Sequence, residues 1–255
     1  MKLRNQFIWI TIFAIAMGFL ETAVVVYLRE ILYPEGFRFP LSPIPADLAV
    51  TELFRELATM VMLVSIGVLA GRRFSTGFAW FIYTFAIWDI FYYVFLWLLL
   101  GWPESVITWD VLFLIPTTWT GPVIAPVLLS LTMILLAVLV LVNARQDRDT
   151  RILAGEWGGL VLGSLVLIFG FILDYSQHML THFTLAGMFD VKDPEVLEVA
   201  TRYIPLRFPW WIFWIGETIL LLVILLYARR MKRQEPSGSS QEPSGNPEEP
   251  GDDLK

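Results

Sequence analysis

The chain has 255 residues, of which 56% are hydrophobic and 16% are charged, and it contains no cysteine. This composition is too apolar for an ordinary soluble domain, and the lack of cysteine excludes disulfides, thiolate metal ligands and a cysteine nucleophile. The net charge of −6 says little about binding partners, because residues 234–255 alone carry six acids and one lysine.

Six apolar segments are each long enough to cross a bilayer. The first follows Lys2 and Arg4, as a signal peptide would, but it contains Glu21 and lacks a cleavage site of small residues, so we interpret it as a retained span. The predicted fold is therefore an all-α, polytopic six-helix transmembrane bundle over residues 1–233. The spans are predicted at about residues 7–27, 48–70, 77–100, 121–142, 157–175 and 210–228.

The connections between the spans contain three informative segments. The proline-rich stretch YPEGFRFPLSPIPADL, residues 33–48, predicts an extended loop that ends where Pro45 or Asp47 begins the second span. The apolar piece between Pro103 and Pro116 is too short to cross the membrane, which predicts a short interfacial or re-entrant segment. After Asp193, a suitable N-cap, the pattern predicts a short helix on the outer surface.

The two ends of the chain are predicted to lie in the cytoplasm. Lysines and arginines near both termini, and in the connections at residues 72–73 and 145–151, outnumber those in the other connections. Such residues concentrate on the cytoplasmic side of membrane proteins. The last residues, 234–255, are rich in proline, serine and glycine, which predicts a disordered cytoplasmic tail.

Ionisable side chains in or beside the spans predict the position of a functional site. Such groups are costly in hydrocarbon and usually face a protein interior or a water-filled cavity. In the predicted orientation they lie in the outer half of five spans, which favours one outward-facing polar pocket with the fourth span as an apolar wall. The alternative is that Arg55 pairs with Glu52 and the other acids are satisfied in separate contacts between helices. The candidate pocket residues are Glu21, Glu52, Arg55, Glu56, Asp89, Asp110, Asp174, His178 and Glu217.

His178 and His182, the only histidines, lie four residues apart and therefore on one face of a helix. Two imidazoles at this spacing can hold a divalent metal such as zinc or iron, and carboxylates from another helix could complete the ligand shell. Asp174 could orient His178 by a hydrogen bond. Proton movement through the carboxylates, and two interfacial histidines without chemistry, are the alternatives.

Three stretches, GFLETAVVVYLRE, WDIFYYVFL and GPVIAP, resemble bacterial multi-pass membrane proteins that have no assigned activity. The resemblance implies a bacterial inner-membrane protein and implies no site. The H-x-x-x-H pattern also resembles the zinc site of ceramidase-like membrane hydrolases, although that site has three histidines and this chain has two.

Two function classes and a structural role follow from these patterns. One is a metal-assisted enzyme acting on a lipid or another extracytoplasmic small molecule, with Glu52, Glu56 and Asp89 as candidate catalytic residues. The others are a proton- or cation-coupled transporter and a structural membrane subunit. The basic residues are those of membrane topology, so nucleic-acid binding has no support. The sequence does not indicate an oligomeric state.

Overall fold

The computed structural model describes residues 2–115, 117–146, 148–190 and 193–234. Within this part of the chain, six helices are long and apolar enough to cross a membrane. The prediction of an all-α six-helix bundle is confirmed, and the predicted tail from residue 235 onward lies outside the described residues. The long helices are α1 (Leu3–Leu32), α2 (Ala46–Ala70), α3 (Phe74–Leu100), α4 (Ile124–Arg145), α5 (Ala154–Leu180) and α7 (Trp210–Arg233), with the short α6 (Pro194–Thr201) between the last two.

Helix α3 is the centre of one half of the bundle and packs against α1, α2 and α4. Helices α5 and α7 form the other half. Helix α4 connects the two halves, because it contacts both α3 and α7. Small residues let the backbones approach closely: a Cβ atom on Gly67 of α2 would lie 2.6 Å from the carbonyl oxygen of Gly77 on α3. Close packing of this kind holds membrane helices together, because lipid provides no hydrophobic driving force between them.

The segment predicted to be interfacial or re-entrant is a β-hairpin. Strand β1 (Trp109–Phe113) pairs antiparallel with β2 (Trp119–Pro122), and Asp110 lies opposite Gly121. The indole of Trp119 stacks on the ring of Phe171 on α5, with 5.9 Å between the ring centroids. Pairing the two strands satisfies backbone groups that neither lipid nor a lone extended chain could satisfy. We call this end of the bundle the hairpin end, and the opposite end the arginine end.

The predicted helix after Asp193 is confirmed as α6. The Asp193 carboxylate accepts a hydrogen bond from the backbone N–H of Glu195 at 2.9 Å, which caps the helix. Val196 and Val199 are buried and belong to one apolar cluster with Tyr175 at the end of α5. Helix α6 is therefore fixed to the bundle by its apolar face at the hairpin end.

The arginine end contains an ion pair that the sequence analysis did not identify. Arg230 of α7 donates to both carboxylate oxygens of Glu156 on α5, at 2.9 and 2.8 Å, and to the carbonyl of Arg151 at 2.7 Å. Two parallel bonds from one guanidinium make a strong and well-oriented pair. This contact joins α5 and α7 at the end opposite the hairpin.

Candidate functional site

A cavity of about 450 Å³ lies at the hairpin end. Helices α1, α2 and α3 form its deeper walls, and the hairpin, the loop after α1 and helix α6 surround its outer part. The structure brings six of the residues predicted to form a pocket to this one cavity. They are Glu21, Glu52, Arg55, Glu56, Asp89 and Asp110.

Arg55 binds two of the carboxylates on the cavity wall. Its Nε donates to both oxygens of Glu52, at 2.9 Å each, and its Nη1 donates to the carboxylate of Glu21 at 2.5 Å. Arg55 and Glu52 lie one turn apart on α2, whereas Glu21 belongs to α1, so the guanidinium links the two helices. The pairing of Arg55 with Glu52, which belonged to the alternative of separate contacts between helices, is thus present, and both residues also line the cavity. Two carboxylates share one guanidinium, which leaves this group with a formal charge of −1.

Glu56 of α2 and Asp89 of α3 both line the cavity without forming an ion pair to any described residue. Glu56 is buried and accepts a hydrogen bond from the backbone N–H of Leu114 at 2.9 Å, which attaches the hairpin segment to α2. Asp89 accepts a hydrogen bond from the hydroxyl of Ser130 on α4 at 2.8 Å. Neither carboxyl group forms an ion pair with any residue in the described part of the chain.

Asp110 of the hairpin pairs with Arg29, a residue that no sequence pattern singled out. The Nη2 atom of Arg29 lies 3.1 Å from Oδ1 of Asp110, and both side chains are buried. The guanidinium lies 4.4 Å from the ring centroid of Phe37 and 3.8 Å from that of Trp102. Burial raises the pKa of Asp110 to about 6, while the positive charge of Arg29 opposes that rise.

The cavity combines an excess of acids with aromatic and aliphatic walls. Its lining includes five carboxyl groups and two guanidinium groups, so acids outnumber bases by three. Aromatic faces attract cations, and a low-dielectric wall strengthens that attraction. A positively charged group therefore fits the chemistry of the cavity, whereas an anion does not. The aromatic side chains that line it are Tyr33, Phe37, Trp88, Tyr92, Tyr93, Phe113, Tyr175 and Phe189.

Glu217 lies outside this cavity, which corrects the expectation that it joins the other acids. It is buried on α7 and accepts a short hydrogen bond from the hydroxyl of Thr132 on α4. Helix α4 was expected to be an apolar wall, yet its Ser130 and Thr132 bind carboxyl groups of α3 and α7. The expectation considered only ionisable residues, whereas hydroxyl groups of α4 also donate hydrogen bonds to buried acids.

The histidine pair and Asp174 also lie outside the residues that line the cavity. Asp174 accepts hydrogen bonds from the Tyr203 hydroxyl at 2.7 Å and from the Leu206 N–H at 3.2 Å, rather than orienting His178. The Nε2 atom of His178 lies 3.0 Å from the carbonyl oxygen of Val199, and His182 is exposed.

The carboxylates expected to complete a metal shell do not converge on the histidines. Glu52 is bound to Arg55, and Glu56 is bound to the hairpin segment. Across the described ranges, no group of three or more histidine, aspartate or glutamate side chains is placed to hold a metal ion. The structure therefore adds no support to a metal site at His178 and His182.

The cavity residues come together through long-range contacts that no local pattern encodes. Arg29 meets its partners only because the loop after α1, the loop after α3 and the hairpin converge at one end of the bundle. Comparison of the chain with protein-family models, curated proteins and solved structures finds no significant match. The function of this multi-pass membrane protein must therefore be inferred from its own geometry.

Proposed function

We propose that the protein binds an amphipathic organic cation, a quaternary or primary ammonium group attached to an apolar chain, in the cavity at the hairpin end. The observation that carries the proposal is the excess of carboxyl groups over guanidinium groups in one cavity. Carboxyl groups without a partner are costly in a low-dielectric interior, and a bound cation offsets that cost.

Glu56 and Asp89 are the residues that we assign to the charged group of the ligand. Both line the cavity, and each is held by a single hydrogen bond from a neutral donor. Glu21 and Glu52 already share Arg55, and Asp110 already pairs with Arg29. A cation bound near Glu56 and Asp89 would therefore meet the least compensated negative charge in the cavity.

The aliphatic residues of the cavity wall indicate that the ligand also carries an apolar group. Leu28 of α1, Leu53 of α2 and Leu112 of the hairpin all line the same space as the carboxyl groups. The volume of about 450 Å³ lies within the range of about 300–1,000 Å³ that is typical of small-molecule sites. Aliphatic walls of this kind favour a short alkyl or aryl group over a fully hydrated inorganic ion.

The helix packing favours binding of a ligand from the hairpin end over transport of a ligand through the protein. Toward the arginine end, the rings of Phe7 and Trp80 pack with 4.8 Å between their centroids, and Phe7 packs on Tyr83 at 5.2 Å. Trp80 is almost completely buried in this cluster. Transport would require this aromatic layer to open, and metal-assisted catalysis would require ligands beyond the two histidines.

We also propose that the protein resides in a bacterial inner membrane with its hairpin end facing outward. The support is the concentration of basic residues at the other end, in the connections at residues 72–73 and 145–151 and after α7. The chain has no cysteine of its own, so single cysteines at Ser105 and Arg151 can report the orientation. An impermeant thiol reagent applied to intact spheroplasts should label the first cysteine and spare the second, and the reverse pattern would invert the assignment.

The binding proposal can be tested by calorimetric titration of the protein in lipid nanodiscs. Two probes of equal chain length and opposite charge, hexyltrimethylammonium and hexanesulfonate, separate charge recognition from apolar partitioning. We expect the cation to bind at least about tenfold more tightly than the anion. The Glu56→Gln/Asp89→Asn variant should weaken binding of the cation by at least about tenfold and leave the anion unaffected.

Glu217→Gln is the matched control, because it removes a buried carboxyl group of the same bundle that does not line the cavity. This variant should bind the cation as the unmodified protein does. Equal affinities for the two probes, or an unchanged affinity in the Glu56→Gln/Asp89→Asn variant, would refute the proposed function.

A further inference from the structure

We propose that Arg29 closes a passage between the cavity and a second cleft, and that ligands enter the cavity through this passage. The identity of the ligand rests on the proposed function, whereas the passage itself does not. The proposal follows from the position of Arg29 between two separate spaces and from the way it is held there.

The second space is a cleft of about 310 Å³ between the loop after α1 and the loop after α3. Besides Arg29, its lining includes the charged residues Glu30, Glu35, Arg38 and Glu104. Three residues, Arg29, Tyr33 and Phe37, line both the cleft and the cavity. At this point the wall between the two spaces is therefore one layer of side chains, and the cleft leads directly toward the acidic lining of the cavity.

The Arg29 guanidinium contacts the rings of Phe37 and Trp102, but it makes fewer hydrogen bonds than the guanidinium groups of the partly buried Arg55 and Arg230 pairs. It makes one hydrogen bond, from Nη2 to Oδ1 of Asp110, whereas Arg230 donates two bonds to Glu156. The Nη1 atom of Arg29 and the Oδ2 atom of Asp110 are buried and make no hydrogen bond in the described part of the chain. A buried polar atom without a hydrogen-bond partner is unfavourable. The two unpartnered atoms therefore raise the free energy of the closed arrangement and favour separation of the Arg29–Asp110 pair.

An entering cation would compete with Arg29 for the Asp110 carboxylate. The Tyr93 hydroxyl and the Val111 N–H also lie near the Asp110 carboxylate, but its Oδ2 accepts no hydrogen bond of normal geometry within the described residues. A positive group that reached Oδ2 would replace the charge of Arg29. The released guanidinium would turn toward the cleft, whose lining includes Glu30 and Glu104. Both charges remain compensated in the open arrangement, which makes exchange between the two arrangements feasible.

The passage can be tested with a reporter cysteine below the wall. Val25 lies one helical turn before Arg29 and lines the cavity but not the cleft, so Val25→Cys provides the only thiol in the protein. The neutral reagent hydroxyethyl methanethiosulfonate reports access independently of any preference for cations. In the Val25→Cys background, Arg29→Ala and Phe37→Ala should each raise the labelling rate by at least about tenfold.

Phe39→Ala is the matched control, because Phe39 packs against Phe37 in the same loop but lines neither space. It should leave the labelling rate unchanged, and all variants must retain the thermal stability of the Val25→Cys parent. Equal labelling rates in the parent and the Arg29→Ala variant would overturn the passage. Because the reagent is neutral, that outcome is distinguishable from a failure of the cation proposal, which the calorimetric comparison decides.

Discussion

Replacing Arg55 by methionine should destabilise the bundle, because Arg55 is the charge partner of both Glu21 and Glu52. The substitution keeps an unbranched side chain of similar length and removes only the guanidinium. It leaves two carboxylates on one wall, with Glu52 and Glu56 also one turn apart on the same face of α2. The effect should therefore exceed that of losing one hydrogen bond.

The magnitude follows from the burial of the three side chains. Arg55 is 20% exposed, and Glu21 and Glu52 are 11% and 12% exposed. Removing one partner of a buried pair costs about 3–5 kcal/mol. Because the three side chains are partly exposed to the cavity, we expect Arg55→Met to cost an amount near the lower value. Arg38→Met is the matched control, because the Arg38–Glu35 pair is 73% and 80% exposed and should contribute less than about 1 kcal/mol.

The free energy of unfolding can be measured by titrating sodium dodecyl sulfate into mixed micelles and following helicity by circular dichroism. Arg55→Met should unfold at a clearly lower fraction of the denaturing detergent. The triple variant Arg55→Met/Glu21→Gln/Glu52→Gln should recover most of the loss, because no uncompensated carboxylate remains. If Arg55→Met and Arg38→Met lower stability equally, or if the triple variant is less stable still, the reasoning about shared charge is wrong.

Three further predictions test other parts of the structure. Gly67→Ala should destabilise the bundle by about 1–3 kcal/mol because its Cβ would meet the backbone of α3, whereas Gly158→Ala, with no atom within 4 Å, should be neutral or stabilising. Tyr203→Phe removes hydrogen bonds to β2 and α5 and should speed amide hydrogen exchange in α6. Burial raises the pKa of Asp110 to about 6, so its ion pair is lost as the pH falls through that value. Labelling of the reporter cysteine, relative to an exposed reference cysteine, should therefore rise from about pH 7 to about pH 5, and Asp110→Asn should abolish that dependence.

The spans and the short helix after Asp193 were predictable because their signals are local. Apolar runs of sufficient length identify membrane helices, and Asp193 followed by Pro194 marks a helix start through side-chain capping. The sequence did not predict the hairpin, because the apolar run around Trp109 is too short to show whether its apolar residues repeat with the period of a helix or of a strand. Its strands form because the surrounding helices bury them and leave backbone pairing as the way to satisfy their polar groups.

Part of the candidate site was also accessible from the sequence. Ionisable residues in apolar helices favour a shared polar cavity, and five such predicted residues line one together with Asp110 of the hairpin. Glu217 was misplaced because helical depth says nothing about which neighbour a side chain faces, and its hydrogen-bond donor, Thr132, lies on α4. The role of Arg29 depends on two loops and the hairpin meeting at one point, which no spacing along the chain reveals.

Photoaffinity labelling tests the central claim most directly, because it locates the bound cation in the protein. The probe is an alkyltrimethylammonium with a diazirine at the far end of its chain, applied to the protein in nanodiscs and analysed by peptide mass spectrometry. We expect adducts on the aliphatic cavity wall, at or beside Leu28, Leu53 and Leu112. An excess of hexyltrimethylammonium should remove these adducts, whereas hexanesulfonate should not. Adducts confined to lipid-facing residues such as Leu69 and Leu222, or equal competition by both probes, would contradict the central claim.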